Sequence, residues 1–227
     1  MKQLVIDSSS LISLSTNCLL WVLDQLKSIG VQFIVTPEVR SEVINRALGV
    51  DKFRLSAVRV LKRLCNGTII VKESNPTITN KILNEANKVF SVNNEFFKII
   101  HPAEMSLVQL AQENGTDSIV IDERIVDKLI NNPQGLRLLL EHRLHTKVTL
   151  NKAHLKEFKA LIKNVNIFKS TDLVVIAFEK GLMKDYLNDC ASKKVNKDFI
   201  SGALWGLKMS GCAVSTKDIN EYLKQLF

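Results

Sequence analysis

The sequence predicts an α/β fold, a three-layer α/β/α sandwich with a mainly parallel central sheet. Short, wholly apolar runs carry the first part of that prediction: Leu4-Val5-Ile6, Phe33-Ile34-Val35 and Ile119-Val120-Ile121 read as strands buried on both faces. The segments between them space their apolar residues as helices do, which gives the βαβ order of a parallel sheet with covering helices. Asp7 and Asp122 each close one of these runs. In open α/β sheets the ligand site lies just beyond the carboxyl ends of the strands.

Taken in order, residues 3–6 form the first strand. Ser9 or Ser10 can cap a helix through Leu11, Ile12 and Leu14 that continues over 19–26, with Gly30 as its break. Gln32-Phe33-Ile34-Val35 is the second strand. Thr36-Pro37 opens a helix with threonine at the N-cap and proline at the first helical position, and Val39, Val43 and Ala47 share its inner face. Residues 53–64 read as a basic amphipathic helix, 68–71 as a third strand and 78–90 as helical, while 96–100 is ambiguous. Pro102 starts a helix that Gly115 ends, and the strand before Asp122 follows.

Beyond Asp122 the pattern loosens. Residues 136–144 and 155–162 are expected to be helical, 164–168 a strand, and 173–180 a helix capped by Ser170-Thr171 and stopped at Gly181. The lysine-rich stretch 185–197 reads as an exposed connection. Ser215-Thr216-Lys217-Asp218 fits a capping box before a final amphipathic helix. The expected organisation is one domain over residues 1–180, with a helical insertion at about 131–165, and a helical C-terminal extension over 181–227 packed on it.

Bulk properties narrow the function. The 227 residues are 46% hydrophobic, enough for a substantial core, and no run approaches the roughly 20 apolar residues of a membrane span. Asp7 interrupts the first apolar stretch too early for a signal peptide. Cys18, Cys65, Cys190 and Cys212 are scattered and form no CxxC pair, so they read as buried thiols of a cytoplasmic protein. The net charge of +8 favours polyanionic partners.

A basic surface around an acidic pocket suits a metal-dependent enzyme acting on a phosphate backbone. Asp7, Glu42, Glu104 and Asp122 can supply the three or four carboxylates from different elements that such a centre needs, since magnesium and manganese take hard oxygen ligands. Each acid also has a plain structural use. Asp7 can cap the following helix, Glu42 can pair with Arg46 at i,i+4, Glu104 can favour its helix dipole, and Asp122 can open a turn. Two unpaired carboxylates at one sheet edge would repel without metal or protons between them. Arg40, Arg46 and Arg124 lie close in sequence to these acids and could pair with phosphate or simply neutralise the cluster.

The runs Leu4-Val5-Ile6-Asp7-Ser8-Ser9, Thr36-Pro37-Glu38-Val39-Arg40-Ser41-Glu42-Val43, Pro102-Ala103-Glu104 and Ile119-Val120-Ile121-Asp122-Glu123-Arg124 together resemble a PIN domain. The stretch Phe168-Lys169-Ser170-Thr171-Asp172-Leu173, with Gly181-Leu182-Met183, looks like the closing segment of a prokaryotic PIN subgroup. The resemblance covers about residues 1–130 and then 165 onwards. It implies an Mg- or Mn-dependent endoribonuclease of toxin or RNA-processing type, with Asp7, Glu42, Glu104 and Asp122 as metal ligands. Ser8, Arg40, Arg46, Arg124 and Thr171 would stand on the substrate side, and Asp172 would be an extra acid. Single-stranded RNA, a small antitoxin-like protein and a second copy of the chain are the partners implied. The chain departs from the family pattern in three places. Glu104 stands where aspartate is also common, Ile125-Val126-Asp127 lacks a further arginine, and residues 131–165 are inserted.

Other chemistries find less support. His142 and His145 have no cysteine or carboxylate set to complete a zinc site, and neither GxxxxGK[ST] nor GxGxxG occurs. Trp21 and Trp205 sit in apolar helical surroundings and read as core. The expected reaction is hydrolysis of RNA to a 5′-phosphate and a 3′-hydroxyl. Two rival expectations stand beside it: a PIN-like module that grips RNA or a protein without cutting, and a nuclease acting on DNA or structured junctions.

Overall fold

A computed structural model describes residues 2–163, 165–187 and 192–227. Its strands are β1 (Lys2–Ile6), β2 (Val31–Val35), β3 (Ile69–Val71), β4 (Phe90–Val92), β5 (Glu95–Phe96), β6 (Ser118–Val120), β7 (Thr149–Leu150) and β8 (Asn166–Phe168). The helices are α1 (Ser8–Thr16), α2 (Trp21–Ser28), α3 (Pro37–Arg40), α4 (Arg54–Cys65), α5 (Pro76–Ala86), α6 (Pro102–Glu113) and α7 (Arg124–Asn131). They continue with α8 (Pro133–Leu144), α9 (Lys152–Ile162), α10 (Ser170–Glu179), α11 (Lys184–Leu187), α12 (Lys193–Met209) and α13 (Thr216–Leu226). None of the helices described is long and apolar enough to cross a membrane.

The expected α/β sandwich is present. Five parallel strands run in the order β3-β2-β1-β6-β8. The chain first winds outward from β1 to β3, then returns to the other side of β1 at β6. Right-handed crossovers place the helices of these two excursions on opposite faces. Accordingly α1 and α2 gather with α4 and α10, while α6 packs on β1 and β6 with α5 and α9 beside it. Val5, Ile6, Phe33, Ile34, Ile119 and Val120 have no exposed surface. Burying each stabilises the fold by about 1.5–3 kcal/mol, and the buried polar Gln32 of β2 is accommodated by donating to backbone carbonyls of Phe33, Gly67 and Thr68.

Several local readings need correction. The helix expected over 78–90 stops at Ala86, and Phe90 starts β4. The cause is a hairpin: Asn93 and Asn94 both take positive φ, the backbone of a two-residue turn, and fold β5 back on β4. Within residues 131–165, expected to be a helical insertion, β7 completes a second, antiparallel sheet of order β5-β4-β7, and α9 lies against α5 and α6. The strand expected over 164–168 is Asn166–Phe168, with residue 164 outside the described residues. The connection expected over 185–197 is shorter than its polarity suggests. Helix α11 reaches Leu187, and Ser192 caps α12 by accepting from Val195 N at 3.2 Å, with residues 188–191 outside the described residues. Helix α12 packs on α10 and carries α13, whose Ser215–Asp218 capping box forms as read, at 2.9 and 3.1 Å.

Candidate metal centre

The site lies where the strand order reverses, beyond the carboxyl ends of neighbouring strands β1 and β6, the place that open α/β sheets use for ligands. The Asp7 N–H donates to the Val120 carbonyl at 2.9 Å, so the two strand tips are stitched together. The Ser9 hydroxyl adds a second stitch. It donates to Asp7 Oδ2 at 2.6 Å and accepts from the Asp122 N–H at 3.3 Å. Asp7, rather than Ser9 or Ser10, is the cap of α1, and Oδ2 also accepts from Ser9 N at 3.2 Å. Among the described residues Oδ1 accepts a side-chain hydrogen bond from the Ser8 hydroxyl alone, at 3.5 Å.

Glu42 reaches the site by an irregular path. After Thr36 caps α3, the helix widens at Ser41–Arg46 into a π-helical turn. Such turns are rare and occur often at functional sites. Glu42 is exposed, and it makes no ion pair with Arg46 among the described residues, although the two line one cleft with Ile12, Val43 and Phe53. Its charge acts on Asp7. Burial pushes the Asp7 carboxyl above its ordinary range, the Ser9 and Ser8 hydrogen bonds pull it back, and Glu42 pushes it up again.

Glu104 sits in the first turn of α6, where its Oε2 accepts from His101 N at 2.7 Å. Burial raises its pKa to about 8, assisted by the carboxyl of Glu123, which stands within hydrogen-bonding reach, and by the charge of Asp7. Among the described residues Glu123 Oε2 is buried without a hydrogen-bond partner. Asp7, Glu42, Glu104 and Glu123 therefore form one electrostatic cluster, drawn from four separate elements.

Asp122 is turned elsewhere. It is fully buried, and both its oxygens are taken up by Ser170, whose N–H and hydroxyl each donate at 2.7 Å. Its charge also helps, after burial, to push the Cys212 thiol up to about 12. Adjacent residues in extended chain point to opposite sides. With Asp122 facing α10, Glu123 faces the acids, and the Asp122-Glu123 doublet was the signal for it in the sequence.

The other expected residues are dispersed. Ser8 is nearly buried beside Asp7, and Arg40 is exposed. Arg46 borders the Glu42 cleft, and Arg124 borders a separate cleft on the far side of Glu123. Thr171 is fully buried with its hydroxyl 4.0 Å from Cys212 Sγ, which removes it from the substrate side. Asp172 caps α10 through Lys169 N at 2.7 Å and accepts from the Tyr222 hydroxyl, so it is not a further site acid.

The donor set is all carboxylate oxygen, one of them buried and unpartnered, which suits a hard divalent cation. Among the described residues no three His, Cys, Asp or Glu side chains are already arranged around one ion position. Comparison with protein-family models gives no match, and comparison with curated proteins gives none at a meaningful level of similarity.

Proposed function

We propose that the chain is a PIN-like, metal-dependent endoribonuclease. The observation that carries this reading is the crowding of Asp7, Glu42, Glu104 and Glu123 at the β1/β6 switch point, with Asp7 raised in pKa by burial and by Glu42, and Glu104 by burial, Glu123 and Asp7. Such a cluster suits a cation that takes the place of the protons. Magnesium or manganese, when bound, would neutralise these carboxylates and stabilise charge on the scissile phosphate. The protein's own part is positioning. Asp7 and Glu104 are fixed by their helix-capping hydrogen bonds, and basic groups bordering the site hold the strand. One water is consumed: its oxygen joins phosphorus, the bond to the 3′ oxygen breaks, and the 3′ oxygen gains a proton. The products are a 5′-phosphate and a 3′-hydroxyl.

A second reading has its own support. Each of Asp7, Glu104 and Asp122 already has a structural hydrogen bond, and no ion position is prearranged among the described residues. That is what a non-cutting RNA- or protein-binding module of the same fold would display. Incubating labelled single-stranded RNA with manganese and either wild type or Asp7→Asn separates the two. Cutting by wild type alone supports the nuclease. Intact RNA with both proteins, and equal gel shifts, supports the binding module.

A further inference from the structure

Four cations surround a surface cleft of about 520 Å³ that begins one residue after Glu123: Arg124, Lys128, Lys169 and Lys208. Two carboxylates, Asp127 and Asp218, share it. Neither is free to neutralise the whole. Asp127 pairs with Lys169 at 3.4 Å and accepts from Asn131, while Asp218 is held by the Ser215 N–H in its capping box. Lys208 is anchored to the Val214 carbonyl at 2.8 Å, with its ammonium 5.7 Å from the centre of the Trp205 ring. Arg124 and Lys128 make no ion pair among the described residues and remain available.

The cleft is built rather than accidental. Its wall is the 213–216 segment, and Ala213 N donates to the Asp122 carbonyl at 2.8 Å, which fixes the wall to the tip of β6. The floor is the first turn of α7, which starts one residue after Glu123. Glu123 thus faces the acids while Arg124 faces the cleft, so one strand tip feeds both places.

We infer that this cleft grips a backbone phosphate of the RNA strand next to the one being cut. The inference rests on the nuclease reading, and electrostatics give its reason. A cluster of carboxylates repels a polyanion, so a strand reaches it only where neighbouring cations hold the flanking phosphates. Lysine ammonium groups and a free arginine fork suit phosphate oxygens, which offer several acceptors carrying full charge.

Fluorescence anisotropy with a labelled single-stranded RNA, in chelator so that nothing is cut, tests this. The variants are Arg124→Ala/Lys128→Ala and, as a control of equal charge, Lys62→Ala/Lys156→Ala on α4 and α9. Loss of two phosphate contacts should weaken binding about tenfold or more at moderate salt and flatten the log K against log salt slope by about 1.4, at roughly 0.7 per contact for single strands. Lys128→Arg should restore the slope when paired with wild-type Arg124, which a general loss of folding would not allow. Equal affinity and slope for the two double variants would overturn the inference, as would competition by polyglutamate as effective as that by unlabelled RNA. The nuclease reading fails separately. Wild type that never cuts RNA with manganese, yet binds it through this cleft, leaves the phosphate grip standing and removes the catalysis.

Discussion

Ser170 donates twice to Asp122, its N–H to Oδ1 and its hydroxyl to Oδ2, both at 2.7 Å. This pairing joins the tip of β6 to the first turn of α10 and leaves the Asp122 carboxylate no free oxygen toward solvent. The neighbouring Glu123 has the opposite situation, with a buried oxygen that nothing satisfies. Two acids side by side in the chain thus have separable roles. Asp122→Ala should lower stability by about 2–4 kcal/mol, since it strands two buried donors that now meet a charge. Glu123→Gln should leave the urea midpoint nearly unchanged while weakening manganese binding, followed by calorimetric titration. A destabilised Glu123→Gln beside a stable Asp122→Ala would reverse the assignment.

Asp7→Asn should separate chemistry from folding. Asparagine caps helices about as well as aspartate, so the melting temperature of the metal-free protein should move little. RNA cleavage should fall at least about 100-fold, the scale for losing one electrostatic partner of a transition state. Manganese at 100 times its dissociation constant should stabilise wild type by about 2.7 kcal/mol, visible as a raised melting temperature, and should stabilise Asp7→Asn much less.

The raised pKa of Glu104 makes stability depend on pH in a definite direction. Its ordinary value is 4.5 and its folded value about 8, so between them the folded protein keeps a proton that the unfolded chain has released. Without divalent cation the protein should therefore be most stable, as far as this group is concerned, below about 4.5, and should lose stability as pH rises toward 8. Glu104→Gln should flatten that slope in melting experiments run across the interval. Added manganese should act oppositely, its stabilisation growing with pH as the proton leaves. A slope that is the same in Glu104→Gln and wild type would exclude Glu104 as its source.

Tyr222 and Asp172 lock the last helix to α10, with the Tyr222 hydroxyl donating to the carboxylate and its own pKa raised by burial and by that neighbour. Tyr222→Phe should cost about 1–2 kcal/mol in urea unfolding, as for a hydrogen bond to a charged group, and leave RNA cleavage intact.

Much of this was legible because the physics is local. Apolar runs without polar interruption announce buried parallel strands, and Thr36-Pro37 and Ser215–Asp218 announce helix starts by supplying the bonds that the first turn lacks. Strand tips then place Asp7 by sequence alone. What escaped was long-range or rotational. Pairing of Phe90 with Leu150 joins residues with no local signal in common, so β4 read as the end of a helix. The π-helical turn at Ser41–Arg46 has no composition that sets it apart from α-helix. The choice between Asp122 and Glu123 depended on which side of an extended chain each faces, and Ser170, 48 residues on from Asp122, decides it.

The placing of β1 in the middle of the sheet has a consequence for how the protein is made. Asp7 and Glu42 leave the ribosome early, but the strand that completes the acidic cluster, Ser118–Val120, comes far later. At roughly 5–20 residues per second the interval is several seconds. Throughout it one edge of β1 lacks its neighbour, and Asp7 has neither the Val120 carbonyl nor Glu104 and Glu123 beside it. The proposed nuclease is thus without its acidic cluster on the nascent chain until Glu123 has left the ribosome.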